Sequence, residues 1–199
     1  MRRSVPVRFA AGKTVYDVGD PLGGVYGIVS GVVTVTTAPR AAVPRLFHVG
    51  GPGSWIGEGC FLSRQPRRVG MRAAADTVMI YLPLNAMDQI AAEDPLAVRY
   101  FTQILMINLD ILVKAFYEIQ DSDDARRVAA ALCRIDLRPD TPVPLSQADL
   151  GLIAHVGRQR VNLALKRFEA AGWLTTGYRS VTVRDGPALD RFSAGDEAL

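Results

Sequence analysis

The apolar positions change period along the chain, and each change marks an element. Residues 25–29 and 32–37 are β-branched runs rich in Val and Thr, joined through Ser30-Gly31. Residues 71–74 and 77–82 repeat the pattern around Ala75-Asp76. Gly12, Gly19, Pro21, Gly23, Gly24, Gly50, Gly51, Pro52 and Gly53 punctuate this half. Many short strands with close turns predict an antiparallel sandwich or barrel over 1–94, with 39–44 as an exposed hairpin loop. The period then lengthens. Pro95 suits the first turn of a helix over 95–120, which carries Phe101, Ile104, Leu105, Ile107, Leu109, Ile111, Leu112, Phe116 and Ile119. Leu105, Leu112 and Ile119 recur every seventh residue with Leu109 and Phe116 between them, a seam of little more than two heptads. Ile104, Ile107 and Ile111 form a second stripe on a neighbouring face. One stripe can pack on the β-domain and the other needs a partner. Burial inside a monomer is the alternative, but a small β-domain offers few places for two apolar faces, so homodimerisation fits better.

The third region, 121–199, opens on a polar break. Residues 120–124 read as a hinge and a helix cap, with acidic groups favourable at a helix start. Val128, Ala131, Leu132 and Ile135 form a helix face, and the prolines within 137–144 predict a loop. Ser146 is then an N-cap candidate, with Asp149 three residues on, close to a capping box. Leu150, Ile153 and Ala154 give one apolar face, His155-Val156-Gly157 interrupts, and Val161, Leu165 and Phe168 resume with Ala164 beside them. Gly172 suits a helix stop. The opposite side of this second helix carries Arg158, Gln159, Arg160, Asn162, Lys166 and Arg167. Two short helices across a tight turn suit a helix-turn-helix, whose second helix enters the DNA major groove. Arg and Lys can donate to guanine and phosphate, and Gln and Asn can pair with adenine edges. A solvated basic face is the bland alternative. Against it stands a hairpin signal that follows at once: 173–176, Gly177-Tyr178-Arg179, then 180–183. That layout is a winged helix-turn-helix.

Composition narrows the class. The 199 residues can hold one large or two small domains, and 49% apolar content marks a globular chain. No apolar run approaches the roughly 18 residues of a membrane span. Met1-Arg2-Arg3 is basic but leads into no apolar signal core, so a cytoplasmic protein without membrane association is expected. Cys60 and Cys133 lack metal-ligand spacing; two buried free thiols are expected, with a disulfide as the alternative. The net charge of +3 is too small to argue nucleic-acid binding, but its distribution is informative. Between residues 145 and 184, Arg158, Arg160, Lys166, Arg167, Arg179 and Arg184 face only Asp149 and Glu169, so the excess concentrates where a phosphate-binding face would need it.

One segment of the β-half carries candidate chemistry: Trp55-Ile56-Gly57-Glu58-Gly59-Cys60-Phe61-Leu62-Ser63-Arg64-Gln65-Pro66-Arg67-Arg68. The Gly-Glu opening allows close backbone approach, a short helix there would aim N–H groups at an anion, and Arg67 and Arg68 could match its charge. A solvated surface arginine pair is the ordinary alternative.

The order of features resembles the cyclic-AMP receptor/fumarate-nitrate regulator (Crp/Fnr) family of bacterial transcription factors. The resemblance rests on Val25-Tyr26-Gly27-Ile28-Val29-Ser30-Gly31, on Gly57-Glu58 through Pro66-Arg67, and on the helix-turn-helix and wing. It implies an α+β protein: an antiparallel β-roll of the cyclic-nucleotide-binding jelly-roll kind, a long central dimerisation helix and a C-terminal winged helix-turn-helix. It places Glu58 where the family holds a ribose hydroxyl and Arg67 where it holds the cyclic phosphate, within a cassette of Gly57, Glu58, Gly59, Cys60, Arg67 and Arg68. It makes Leu105, Leu109, Leu112, Phe116 and Ile119 the dimer seam. It assigns DNA contacts to Ser146, Arg158, Gln159, Arg160, Asn162, Lys166 and Arg179, with Arg158 and Gln159 at the first base-reading positions and Arg179 on phosphate. The partners implied are double-stranded DNA with a two-fold operator, a second copy of the chain, and RNA polymerase.

The chain departs from the family at several positions. Arg68 stands where nucleotide binders carry Ser, Thr or Ala, and Gly59 where a larger apolar residue is frequent. Ile111-Leu112-Val113 lacks the hydroxyls that family members offer the base, and Leu163 replaces a base-reading arginine. The first strand begins almost at once, without the family's leading helix. A cyclic nucleotide, cAMP or cGMP, is thus one expectation for the effector, and a constitutive regulator with a ligand-free β-roll is the alternative. No iron–sulfur centre is expected without an N-terminal cysteine cluster. With only His48 and His155, in different predicted domains, neither haem nor the metal of a small β-barrel enzyme is expected.

Overall fold

The computed structural model describes residues 3–38, 43–135 and 141–196. Contacts divide the chain into two compact units, Met1–Asp110 and Ile111–Leu199. The first unit holds strands β1 (Val5–Phe9), β2 (Thr14–Tyr16), β3 (Val25–Ser30), β4 (Val33–Thr37), β5 (Arg45–Gly50), β6 (Trp55–Ile56), β7 (Val69–Ala73) and β8 (Thr77–Leu82). They form two four-stranded sheets, ordered β1-β8-β3-β6 and β2-β7-β4-β5, with every pair antiparallel. The period-two pattern is what builds the core between them. Tyr16, Val33, Val35 and Met71 point in from one sheet, and Ile28, Ile56 and Met79 from the other. The turn at Gly31 requires glycine: its φ is +91°, and a Cβ there would stand 2.5 Å from the Asp76 carbonyl. The expected loop at 39–44 is bracketed by the β4–β5 pairing, but residues 39–42 lie outside the described residues.

Three helices complete this unit: α1 (Gly59–Ser63), α2 (Leu84–Glu93) and α3 (Ala97–Glu118), the last continuing into the second unit. Helix α2 stands where the sequence reading placed no helix. Leu84, Met87, Ile90 and Ala91 give it a helical stripe that packs with Val25, Phe61 and Phe101. The central helix starts at Ala97, because Asp94 ends α2 and its side chain accepts from the Leu96 N–H at 3.0 Å. Its face toward the β-domain runs through Phe101 and Ile104, while Ile107 of the same expected stripe is exposed. Both thiols are free; Cys60 is buried as expected, whereas Cys133 is only half-buried.

The second unit contains α4 (Asp124–Arg134), α5 (Gln147–Ala154), α6 (Arg158–Ala170), β9 (Leu174–Gly177), β10 (Ser180–Val183) and α7 (Gly186–Ala194). Asp123 caps α4 by accepting from the Ala125 N–H at 2.8 Å, so the polar break does serve as a helix cap. The expected loop over 137–144 lies partly outside the described residues; Val143 pairs with Val181 beside the wing. Helix α7, for which the hydrophobic pattern made no case, begins at an Asp185 cap with Pro in its first turn and buries Ala188, Leu189 and Phe192. Phe192 joins Phe168 and Trp173 in an aromatic cluster that ties α7, α6 and the wing together.

Candidate nucleic-acid interface and sensor cassette

The reading head is built by local chemistry. Ser146 Oγ accepts from the Asp149 N–H while Asp149 accepts from the Ser146 N–H, each at 3.1 Å, so the capping box is complete. The Ser146 hydroxyl also donates to Asp149 at 2.6 Å; its hydrogen bonds in this structure stay within the cap. His155 ends α5 in the left-handed region at φ +53°, a conformation His tolerates better than most residues. Gly157 caps α6 without a side-chain bond. Val161, Ala164, Leu165 and Phe168 are buried, and this one stripe fixes which side of α6 faces out. The outward side carries Arg158, Gln159, Arg160, Lys166 and Arg167, all exposed, with Asn162 half-buried at its edge. Leu163 belongs to the same side at 63% exposure. An apolar side chain held out on a basic face suits contact with a thymine methyl.

An open hollow of about 450 Å³ lies at the start of α6, lined by Asp124, Arg127, His155, Gly157, Arg158 and Arg160 among others. Asp124 is the acid there. Its carboxylate accepts from both Arg127 and Arg160. The bond from Arg160 first, with that from Arg127 adding to it, holds it below the usual carboxylate range, against the opposing effect of burial. In the sequence Asp124 reads only as a hinge and cap acid. Its bond to Arg160 crosses from one helix to another and leaves no sequence signal.

Beyond α6, the wing turns through Tyr178 and Arg179. Arg179 takes φ +51° and is exposed, so its guanidinium stands at the hairpin tip. Glu169 of α6 accepts from the Thr176 N–H at 2.8 Å, which anchors the wing to the second helix.

In the β-domain, the cassette residues come together in a different manner. Glu58 is buried at 6% exposure. One carboxylate oxygen accepts from the Gly57 N–H at 2.9 Å and the other from Asn108 Nδ2 of α3 at 3.0 Å. Asn108, which no motif singles out, also donates to the Trp55 carbonyl at 3.2 Å. Arg67 is equally buried. Nη1 donates to the Gly57 carbonyl at 3.1 Å and Nη2 to the Gly24 carbonyl at 2.8 Å. Its guanidinium carbon lies 4.1 Å from the Tyr16 ring centroid and 5.9 Å from that of Tyr26. Among the described residues no carboxylate stands within ion-pair distance of it. Burial raises the Tyr16 hydroxyl's pKa well above its ordinary value, with Arg67 opposing, so the ring beside the guanidinium stays neutral. Gly57, at φ +115°, makes room: a Cβ would stand 2.7 Å from Arg67 Nη1 and from the Gly24 carbonyl.

The remaining cassette expectations divide. Cys60 is buried beside Phe61 in α1. Gly59 has open space around it, with nothing within 4 Å of where a Cβ would stand. Arg68 is exposed while Arg67 is buried, so the adjacent arginines do not act as a pair. The groups that would hold a ribose hydroxyl and a phosphate are therefore present in type, but each is hydrogen-bonded to its own chain. Along α3, Leu105, Leu109, Leu112 and Phe116 are all exposed, and Ile119 lies half-buried just past the helix end.

Comparison with known proteins agrees with this architecture. Residues 6–94 match the cyclic nucleotide-binding domain and residues 126–192 the Crp-like helix-turn-helix domain. The chain is 24% identical over 194 residues to the CRP-like cAMP-activated global transcriptional regulator of Mycobacterium tuberculosis, covering 94% of this chain and 87% of that one. Among solved structures, FixK2 from Bradyrhizobium japonicum superposes with a TM-score of 0.79 at 20% identity, covering 98% of each chain. A CRP/FNR-family transcriptional regulator from Thermus thermophilus gives a TM-score of 0.73 at 20% identity, over 97% of this chain and 100% of that one. The chain belongs to the Crp/Fnr family of transcription regulators, with a cyclic nucleotide-binding domain followed by a Crp-like helix-turn-helix. No helix among the described residues is long and apolar enough to cross a membrane.

Proposed function

We propose that the protein is a homodimeric, sequence-specific DNA-binding regulator that reads a two-fold operator through α6. The observation that carries this is the division of α6: a fully buried apolar stripe on one side, and Arg158, Gln159, Lys166, Arg167 and Leu163 presented on the other, with Arg160 beside them bonded to Asp124. Arg158 and Gln159 stand at the N-terminal end of the helix, where base edges are reached, and Arg179 in the wing suits a phosphate. The exposed stripe Leu105, Leu109, Leu112 and Phe116 supports the dimer, since water is a poor neighbour for a seam of that size. Two copies joined through α3 present two heads to half-sites about one helical turn apart. RNA polymerase is a further partner of the assembled regulator. Selection of bound sequences from random duplexes tests this reading. A two-fold consensus is the expected result, and unselected recovery contradicts it. Leu112→Glu should halve the mass seen by light scattering; an unchanged mass removes the seam.

The internal bonding of Glu58 and Arg67 favours a second reading of the β-domain. An effector with a phosphate would have to take Arg67 from the Gly24 and Gly57 carbonyls, and one with a sugar hydroxyl would compete with Asn108 for Glu58. A bound effector can shift the heads only by its differential affinity for two states. A regulator that works without a nucleotide fits the buried cassette; one that opens for cAMP or cGMP fits the retained residue types. Calorimetry with both nucleotides, with operator affinity measured alongside, separates them. Binding that changes operator affinity establishes the nucleotide as effector, whereas no heat with either nucleotide supports the ligand-free domain.

A further inference from the structure

The acid beside the reading helix has a consequence for how DNA is discriminated. Arg160 is the third residue of α6, and its side chain is 75% exposed, an arrangement that would ordinarily make it a phosphate contact. Its Nη1 nevertheless lies on Asp124 Oδ2. The acceptor is the fixed partner. Asp124 opens α4, where a carboxylate is favoured by the helix N-terminus, and its other oxygen holds Arg127 one turn on. Only 17% of the Asp124 side chain is exposed, against 75% for Arg160. A well-seated carboxylate thus holds an exposed guanidinium beside the hollow at the start of α6.

We propose that Asp124 is a specificity-determining residue: it keeps Arg160 off the phosphate backbone and so suppresses sequence-independent binding. This rests on the DNA-reading function proposed above. The physical logic is one of competition. An ion pair with one partner this exposed is weak and screened by salt. It still offsets part of the Arg160 charge and holds its guanidinium on Asp124 beside the hollow at the start of α6. Sequence-independent binding comes almost wholly from phosphate contacts, so it loses the most. Specific binding also draws on base contacts from Arg158 and Gln159, and is reduced proportionately less. The ratio between the two therefore rises.

Asp124→Asn keeps the shape and a hydrogen-bond acceptor but removes the charge. Affinity for a random duplex should rise about fivefold per reading head near 0.15 M salt, and the slope of log affinity against log salt should steepen by about 0.9 per head, the effect of one added phosphate contact. Arg160→Gln alone should leave that slope where it is, because the arginine makes no phosphate contact while held. In the Arg160→Gln background, Asp124→Asn should no longer steepen it. The inference is overturned if Arg160→Gln by itself flattens the slope by about 0.9, or if the Asp124→Asn change persists without Arg160. The Arg160→Gln measurement stands alone should Asp124→Asn unfold. Wild-type protein that binds no duplex overturns the DNA-reading proposal, and this inference with it. Wild-type binding with a slope indifferent to Asp124 overturns this inference alone.

Discussion

Arg67 and Arg160 are the same side chain put to opposite uses. Arg67 is 6% exposed, holds two backbone carbonyls and lies against a tyrosine ring. Arg160 is 75% exposed and bonds a single carboxylate. In the β-domain, Glu58 and Arg67 are already hydrogen-bonded by the fold. In the reading head, polar groups project from a helix whose packing is complete without them. The difference separates residues that hold a structure from residues that await a partner. A buried charge bonded to its own backbone is costly to remove, whereas an exposed one is free to change partners.

The contrast can be broken most sharply at its two arginines. Arg67→Ala leaves the Gly24 and Gly57 carbonyls without their donors and a void beside Tyr16, so it should destabilise the β-domain by about 3 kcal/mol. Urea unfolding followed through that domain measures it; a loss near zero would mean that Arg67 is not structural. Arg158→Ala should do the reverse, leaving the unfolding midpoint in place while weakening operator binding by roughly 1–3 kcal/mol and relaxing one base position. Equal losses on operator and random duplex would make Arg158 a phosphate contact instead of a base reader.

Two carboxylates of the second unit sharpen the comparison by pH. Glu118, at the end of α3, accepts from Arg134 Nε at 3.0 Å, and Arg134 also reaches the Ile153 carbonyl at 3.4 Å. Burial raises the Glu118 carboxyl above its usual range, outweighing Arg134 and Lys114, and burial lowers Arg134 as well. For both partners, then, loss of water costs more than the pairing returns. A raised carboxyl pKa means that the folded state binds the proton more tightly than the unfolded state. Its stabilising contribution is present below the ordinary Glu value and is lost as pH rises through the folded value. Asp124 has the opposite sign: its lowered pKa gives stability above the ordinary Asp value, lost as pH falls through the folded one. Glu118→Gln should therefore flatten the decline in melting temperature just above the ordinary carboxylate range, and Asp124→Asn the decline below it. Unchanged profiles in both variants would contradict these environments. The smallest expected effect is that of Asn108→Ala, about 1–2 kcal/mol for the lost hydrogen bonds to Glu58 and the Trp55 carbonyl, read in the same urea titration as Arg67→Ala.

The sequence by itself determined the elements whose cause is local. The capping box at Ser146 and Asp149, the break at His155-Val156-Gly157, the buried stripe of α6 and the wing around Gly177-Tyr178-Arg179 are legible because their partners lie within a turn or a hairpin. Period alone told which side of α6 faces out. Short β-branched runs with close turns likewise announced an antiparallel sandwich or barrel, although α2, with a helical period of its own, was hidden among them and α7 was unmarked by a long stripe. Tertiary structure alone decided which polar groups are free. Arg67 turns inward and Arg68 outward because the Gly24 carbonyl, 43 positions from Arg67, closes over one of them. Glu58 is held by an asparagine 50 positions away, and Arg160 by an aspartate 36 positions away. Pattern reports the face a side chain occupies, because that follows from backbone geometry. It does not report whether a charge on that face is satisfied, because burial and pairing depend on neighbours that only the folded chain brings together.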